Sequence, residues 1–245
     1  MDIVDYLKIN DISINENYFK KENILSCNNN SIEQINLIVE TQKRIMGNKE
    51  NFMPRINSIL GKEIESKKIY LRKSTKYIEH LKNKSNRSEF ENYIIEEGNK
   101  VIYSAQKAIN AVIKDEYLNL IKRSMNNYEM TIGRVDEGSL AIDNNNIIMR
   151  TTKYIAYNMI ENDCYSYIRK LKRKGEIHKI ECTIQEFIYL SDLDKISANY
   201  ISLLTDYPLE SIKILLKIRN EKEKFTEEQW IKQIKISRNI DGLLF

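Results

Sequence analysis

The feature that most limits what this chain can become is its shortage of backbone punctuation, with 7 glycines and 2 prolines in 245 residues. Tight turns draw on glycine for positive φ and on proline for a preset φ, so a many-turned β-sandwich or barrel is excluded and long helices are favoured. The same shortage argues against a glycine-rich phosphate cradle, whose backbone must meet its ligand without Cβ atoms at several nearby positions. With 42% hydrophobic and 30% charged residues and a formal net charge of +4, the chain is expected to be globular rather than disordered. Its length is enough to bury a substantial core without disulfides or metals. The abundance of Asn, Ile and Lys reads as the imprint of an AT-rich genome and says nothing of function.

Cys27, Cys164 and Cys182 are odd in number, widely spaced and without a C-x-x-C pair. That pattern predicts neither a zinc site nor a disulfide framework, and it fits synthesis in a reducing cytoplasm. Cys164 and Cys182 are expected to be buried helical thiols. The stretch from Met1 to Lys8 is acidic and amphipathic, and no run approaches about 18 apolar residues, so neither an export signal nor a membrane span is expected. The run Arg169-Lys170-Leu171-Lys172-Arg173-Lys174 has the charge to meet phosphates. Because Gly175 follows it as a helix-ending residue, a solvated last turn is the simpler reading, and nucleic acid is not favoured as a partner.

Apolar spacing predicts helices from Ser31 to Gly47, from about Ile59 to Leu81, from a capping box at Ser88 through Val112, and from Glu116 to about Met125. The period then changes to two. Tyr128 to Val135 alternates in the β sense, and Leu140-Ala141-Ile142 and Ile147-Ile148-Met149 flank an Asp143-Asn144-Asn145-Asn146 turn, as in a hairpin. Helices are expected again over Asp163–Lys174, from a Thr183 cap to Leu190, over Leu193–Leu204, from Pro208 to Ile218, and from Thr226 to about Ile240.

This order of elements, with Arg55 and Leu60-Gly61-Lys62 after the first helix, Ile132-Gly133-Arg134-Val135 before Ser139-Leu140-Ala141-Ile142-Asp143, the hairpin to Thr151, and Leu190-Ser191-Asp192, Tyr207-Pro208 and Glu227 to Trp230 beyond, resembles one family. It is the helical lobe of aminoglycoside-phosphotransferase-type kinases, and in particular the spore-coat CotS family of endospore formers. The resemblance implies a mainly α fold over residues 31–245, a kinase-like C-terminal lobe with a small β-hairpin at about 128–152. Residues 1–30 would be an N-terminal extension or remnant, with the nucleotide-binding N-lobe absent or vestigial.

In such kinases the catalytic loop reads His-Gly-Asp, with an Asn five residues beyond the Asp and a metal-binding Asp closing the hairpin. Carried over residue by residue, Ile132 stands for the His, Gly133 matches, Arg134 replaces the catalytic Asp, Ser139 the Asn, and Thr151 the metal-binding Asp. Arginine cannot accept a proton at any ordinary pH and repels Mg²⁺. The resemblance therefore implies a degenerate site, with Asp136 an outside candidate for the catalytic carboxylate, and no cofactor or metal is expected.

Other constellations are weaker. His80 and His178 stand apart among charged residues and read as solvated. Glu96-Glu97 and Glu227-Glu228 read as solvated first turns or faces. Tyr154, Tyr157, Tyr165 and Tyr167 cluster after the hairpin and read chiefly as packing, with an interface as the second option. The leading expectation is a protein that is not an enzyme, a kinase-like spore-coat component or interaction module, made in the cytoplasm and partnered by coat proteins or by itself. The alternatives are a divergent small-molecule phosphotransferase using Asp136, and an all-helical adaptor.

Overall fold

The scarcity of turn residues is realised as helix length, up to 22 residues in Glu89–Asn110. The computed structural model describes residues 1–20, 31–49, 52–112, 114–220 and 225–243, so Cys27 lies outside the described part. In chain order the elements are α1 (Ile3–Ile9), β1 (Ile12–Ile14), α2 (Ser31–Ile45), α3 (Lys62–Lys82), α4 (Glu89–Asn110), α5 (Lys114–Asn126), β2 (Met130–Thr131), β3 (Leu140–Asp143), β4 (Asn146–Met149), β5 (Ala156–Tyr157), α6 (Glu161–Lys174), α7 (Ile180–Leu190), α8 (Lys195–Asp206), α9 (Leu209–Arg219) and α10 (Glu227–Asp241). Two compact units result, one from Met1–Gly61 and Lys114–Ser202, the other from Lys62–Ile113 and Leu203–Phe245.

In the first unit the expected hairpin forms, with Leu140 facing Met149 and Asp143 facing Asn146. Asn144 and Asn145 take φ of 45° and 67°, the left-handed values that a two-residue turn demands and that asparagine tolerates. The hairpin is larger than expected because β1 adds to β4 in parallel, Ile12 opposite Ile147, giving the order β1-β4-β3. Leu7 and Ile12 are fully buried in the core that also holds Ile35, Ile38, Met130 and Ile168. The alternation over Tyr128–Val135 yields only the two-residue β2, paired with β5, because Tyr128 (φ 50°) and Gly133 (φ 80°) bend the chain on either side.

The second unit packs α3 against α4 and α9, and α9 against α10, around Leu71, Ile78, Val101, Ile212 and Trp230. Gly98, in mid-helix, is explained by a close crossing: a Cβ there would lie 2.5 Å from Ile78 Cδ1. Capping boxes at Ser88 and Thr226 start α4 and α10. Pro208 sits one place earlier than expected, at the cap of α9, and contributes no side-chain hydrogen bond there. Asp241, at the end of α10, accepts instead from the backbone N–H groups of Glu210 and Ser211, at 3.2 and 2.7 Å.

Three local expectations are corrected. Thr183 does not cap a helix; α7 starts at Ile180 and the Thr183 hydroxyl donates back to the Lys179 carbonyl. Cys182 is exposed, since it points away from the face of α7 that buries Ile184 and Phe187, whereas Cys164 is buried. Glu97 is buried rather than solvated, held by Arg238 at 2.5 Å and Lys100 at 2.9 Å. Among the described residues no helix is long and apolar enough to cross a membrane. Because Leu7 is fully enclosed, Leu7→Ala is expected to cost about 2–5 kcal/mol in urea unfolding, as cavity-forming core truncations do.

Candidate functional site

The loop between β2 and β3 is held from beneath by one carboxylate. Asp163, in the first turn of α6 and 1% exposed, accepts from the backbone N–H of Ile132 through Oδ2 and from that of Gly133 through Oδ1, both at 2.8 Å. Gln42 of α2 is the carboxylate's third donor, the second on Oδ2, at 2.9 Å, and also donates to the Ile160 carbonyl. Farther along, Gln34 Nε2 reaches the carbonyls of Val135 and Leu140. Of these two glutamines on the buried face of α2, Gln34 ties the helix to the loop directly and Gln42 does so through Asp163. Burial pushes the Asp163 carboxyl up to about 6, against three N–H donors that favour its ionised form.

A second buried network braces the flanks. Arg123 of α5 grips Glu129 with two hydrogen bonds of 2.9 and 3.1 Å and also pairs with Glu161 at 2.8 Å and with the Ser197 hydroxyl. Two carboxylates around one guanidinium offset the desolvation that burial imposes on all three.

Above this base the residues singled out from the sequence are placed as follows. Gly133 takes φ 80°, and a Cβ there would come within 2.7 Å of the Tyr154 Cβ and carbonyl oxygen, so the position requires glycine. Arg134 is exposed, its guanidinium 4.3 Å from the centroid of the Tyr154 ring. Ser139 is buried, and its carbonyl accepts from Arg150 N–H at 2.9 Å. Thr151 is half-buried, its hydroxyl accepting from Lys153 N–H. Arg134 and Thr151 line one open cavity of about 420 Å³, together with Arg150, Thr152, Lys153, Tyr154 and Glu16. Ser139 is not among its walls but is bonded through its backbone to Arg150, which is. Asp136 lies on the same loop, accepts from Gly138 N–H at 3.0 Å and faces Lys170 at 3.4 Å.

Electrostatically the cavity is a cation site turned inside out. Three cationic side chains meet one carboxylate, Glu16, which stands 3.7 Å from Arg150 on the surface. Mg²⁺ requires hard oxygen ligands, usually with a carboxylate. The positions where the resemblance puts such ligands hold Ser139 and Thr151, with Arg134 and Arg150 beside them. The residues present do not fit that metal, and among the described residues no cluster of three or more His, Cys, Asp or Glu could hold one. The basic run of α6 is partly spent locally, Lys170 on Asp136 and Lys174 on Glu137. His80 and His178 are exposed, as expected.

No family model matches the chain, and no curated protein matches it. Among solved structures it is similar to an aminoglycoside phosphotransferase from Alicyclobacillus acidocaldarius, with a TM-score of 0.67 at 7% identity, over 93% of this chain and 65% of that one. That likeness shows a kinase-like fold. The chain spans 65% of the length of the structure it matches. The spore-coat family implied by the sequence motifs finds no support in these comparisons. The expectation of a non-enzyme is overturned: the solved structure that shares the fold is itself a phosphotransferase. That expectation rests on the replaced side chains at Arg134, Ser139 and Thr151 and on the unrecognised nucleotide-binding lobe, whereas the folded loop brings a different charged set forward.

Asp163 gives the site a test. A carboxyl raised from 3.8 to about 6 binds a proton in the folded state that the unfolded chain has released, so stability should fall as pH rises between those values and level off above them. Asp163→Asn should flatten that part of the profile in thermal melts. It should also cost about 1–3 kcal/mol at neutral pH, because the amide NH₂ faces N–H donors it cannot accept from.

Proposed function

We propose that the chain is a divergent phosphotransferase of the kinase-like fold, which holds the phosphates of its donor on arginine and lysine side chains. The observation that carries this reading is the convergence of Arg134, Arg150 and Lys153, with the Thr152 hydroxyl, on one cavity beside a rigidly anchored loop. Arginine presents planar, paired N–H donors that match phosphate oxygens, and cations aimed at a transferring phosphoryl group neutralise its charge without proton chemistry. Asp136 is the candidate proton acceptor: the attacking hydroxyl oxygen bonds to the terminal phosphorus, the bond to the leaving phosphate breaks, and the hydroxyl proton passes to the carboxylate. The stacking of Arg134 on Tyr154 supports the reading by holding the guanidinium at the cavity wall. A spore-coat location with coat or self partners rests on the sequence motifs alone.

Thermal melts with ATP test the binding half. Nucleotide at 100 times its dissociation constant should stabilise the protein by about 2.7 kcal/mol. The shift should persist in EDTA and should need about tenfold more nucleotide, or more, in the double variant Arg134→Ala/Arg150→Ala. For the chemical half, transfer of labelled phosphate from ATP to a panel of hydroxyl acceptors should drop about 100-fold or more in Asp136→Asn. An absent melting shift, or turnover indifferent to Asp136→Asn, would sink the proposal.

A further inference from the structure

The second unit contains a larger cavity, of about 960 Å³, with no part in the reading above. It opens between the end of α3, the first turns of α4, the end of α9 and the start of α10. Tyr77, Phe90 and Trp230 supply aromatic walls, Lys76 and Arg219 supply cationic ones, and the His80 imidazole stands beside them. Two further charges on the rim cancel locally, since Lys84 and Glu91 pair at 2.6 Å, and Lys84 and Ser88 hold the Glu91 carboxyl below its ordinary value. Among the described residues no carboxylate pairs with Lys76 or Arg219. Among the described residues of the wall Glu227 is the remaining acid, so Lys76 and Arg219 outnumber it.

The volume lies at the upper end of the range of small-molecule sites, and its lining joins flat apolar surface to a few polar groups, as such sites do. Aromatic faces accept a planar ring by stacking, and ammonium and guanidinium groups accept an anion. We infer that this cavity is a binding site for a small aromatic anion, a planar ring that carries a phosphate or a carboxylate. The ring lies along Tyr77, Phe90 and Phe225, whose own ring packs against Trp230 at 4.8 Å between centroids, and the acid group meets Arg219 and Lys76.

Trp230 makes the inference testable by itself, because it is the chain's only tryptophan and stands in this wall. Fluorescence excited at the indole therefore reports on this cavity. Titration with AMP and, separately, with 4-hydroxybenzoate distinguishes a nucleoside phosphate from an aromatic carboxylate; saturable quenching by either is the expected result. Adenosine and inorganic phosphate, each carrying half of the chemistry, should need about tenfold higher concentration, or more, for half-saturation. Arg219→Glu, at an exposed position, and Lys76→Glu should each raise the half-saturating concentration by about tenfold or more. Arg134→Ala should leave it unchanged, so failure here and failure of the phosphotransferase reading are separable. No saturable quenching by either aromatic anion, quenching that survives both charge reversals, or quenching lost in Arg134→Ala would each overturn the inference.

Discussion

The candidate loop of the first unit depends on one buried carboxylate. Asp163 receives the backbone N–H groups of Ile132 and Gly133 and the amide of Gln42, so that a helix, a loop and a second helix meet at two oxygens. A buried anion is costly unless its lone pairs are filled, and here main-chain donors fill them. The consequence is directional. With Ile132 and Gly133 pulled down onto α6, the next side chain, Arg134, stands out from the loop into solvent and over Tyr154. Gly133 completes the arrangement because no other residue fits its positive φ under Tyr154.

On that platform the fold and the side chains carry different messages. The kinase-like architecture is shared with a known phosphotransferase at 7% identity, which shows how little of it needs particular residues beyond core patterning and a few buried polar anchors. The loop's exposed groups are where the chain departs from the pattern that its own sequence resembles. A site that would hold a metal through carboxylates presents guanidinium, ammonium and hydroxyl groups instead, and a cluster of cations has its own chemistry, that of phosphate oxygens. The buried anchor and the exposed charges therefore answer separate questions, one about shape and one about ligand.

Much of the architecture was legible because it follows from local rules. Ser88 and Glu91, or Thr226 and Gln229, cap their own helices within four residues, and the Asn144-Asn145 turn needs only two left-handed residues. Partners distant in sequence were not legible. Ile12-Ser13-Ile14 is too short to announce a strand, and its partner Ile147–Met149 lies more than a hundred residues away. Nothing in the sequence near Gln34 and Gln42 names their partners, Val135 and Leu140 for the one and Ile160 and Asp163 for the other. Asp163 read as a helix-opening acid, which it also is. Glu97 read as a solvated charge because its partner Arg238 comes from another helix.

By itself the sequence determined the secondary structure of most of the chain and the chemistry of the candidate loop residues, since periodicity, caps and residue type are properties of neighbours along the backbone. Only the tertiary structure decided which of those residues share a cavity. Arg134 stands with Arg150, Thr151 and Lys153 because β3 and β4 bring the end of the hairpin back beside the loop where it began. Ser139 is buried a bond away, for the same reason. Long-range contact is set by packing the whole core at once, and no window of sequence contains that sum.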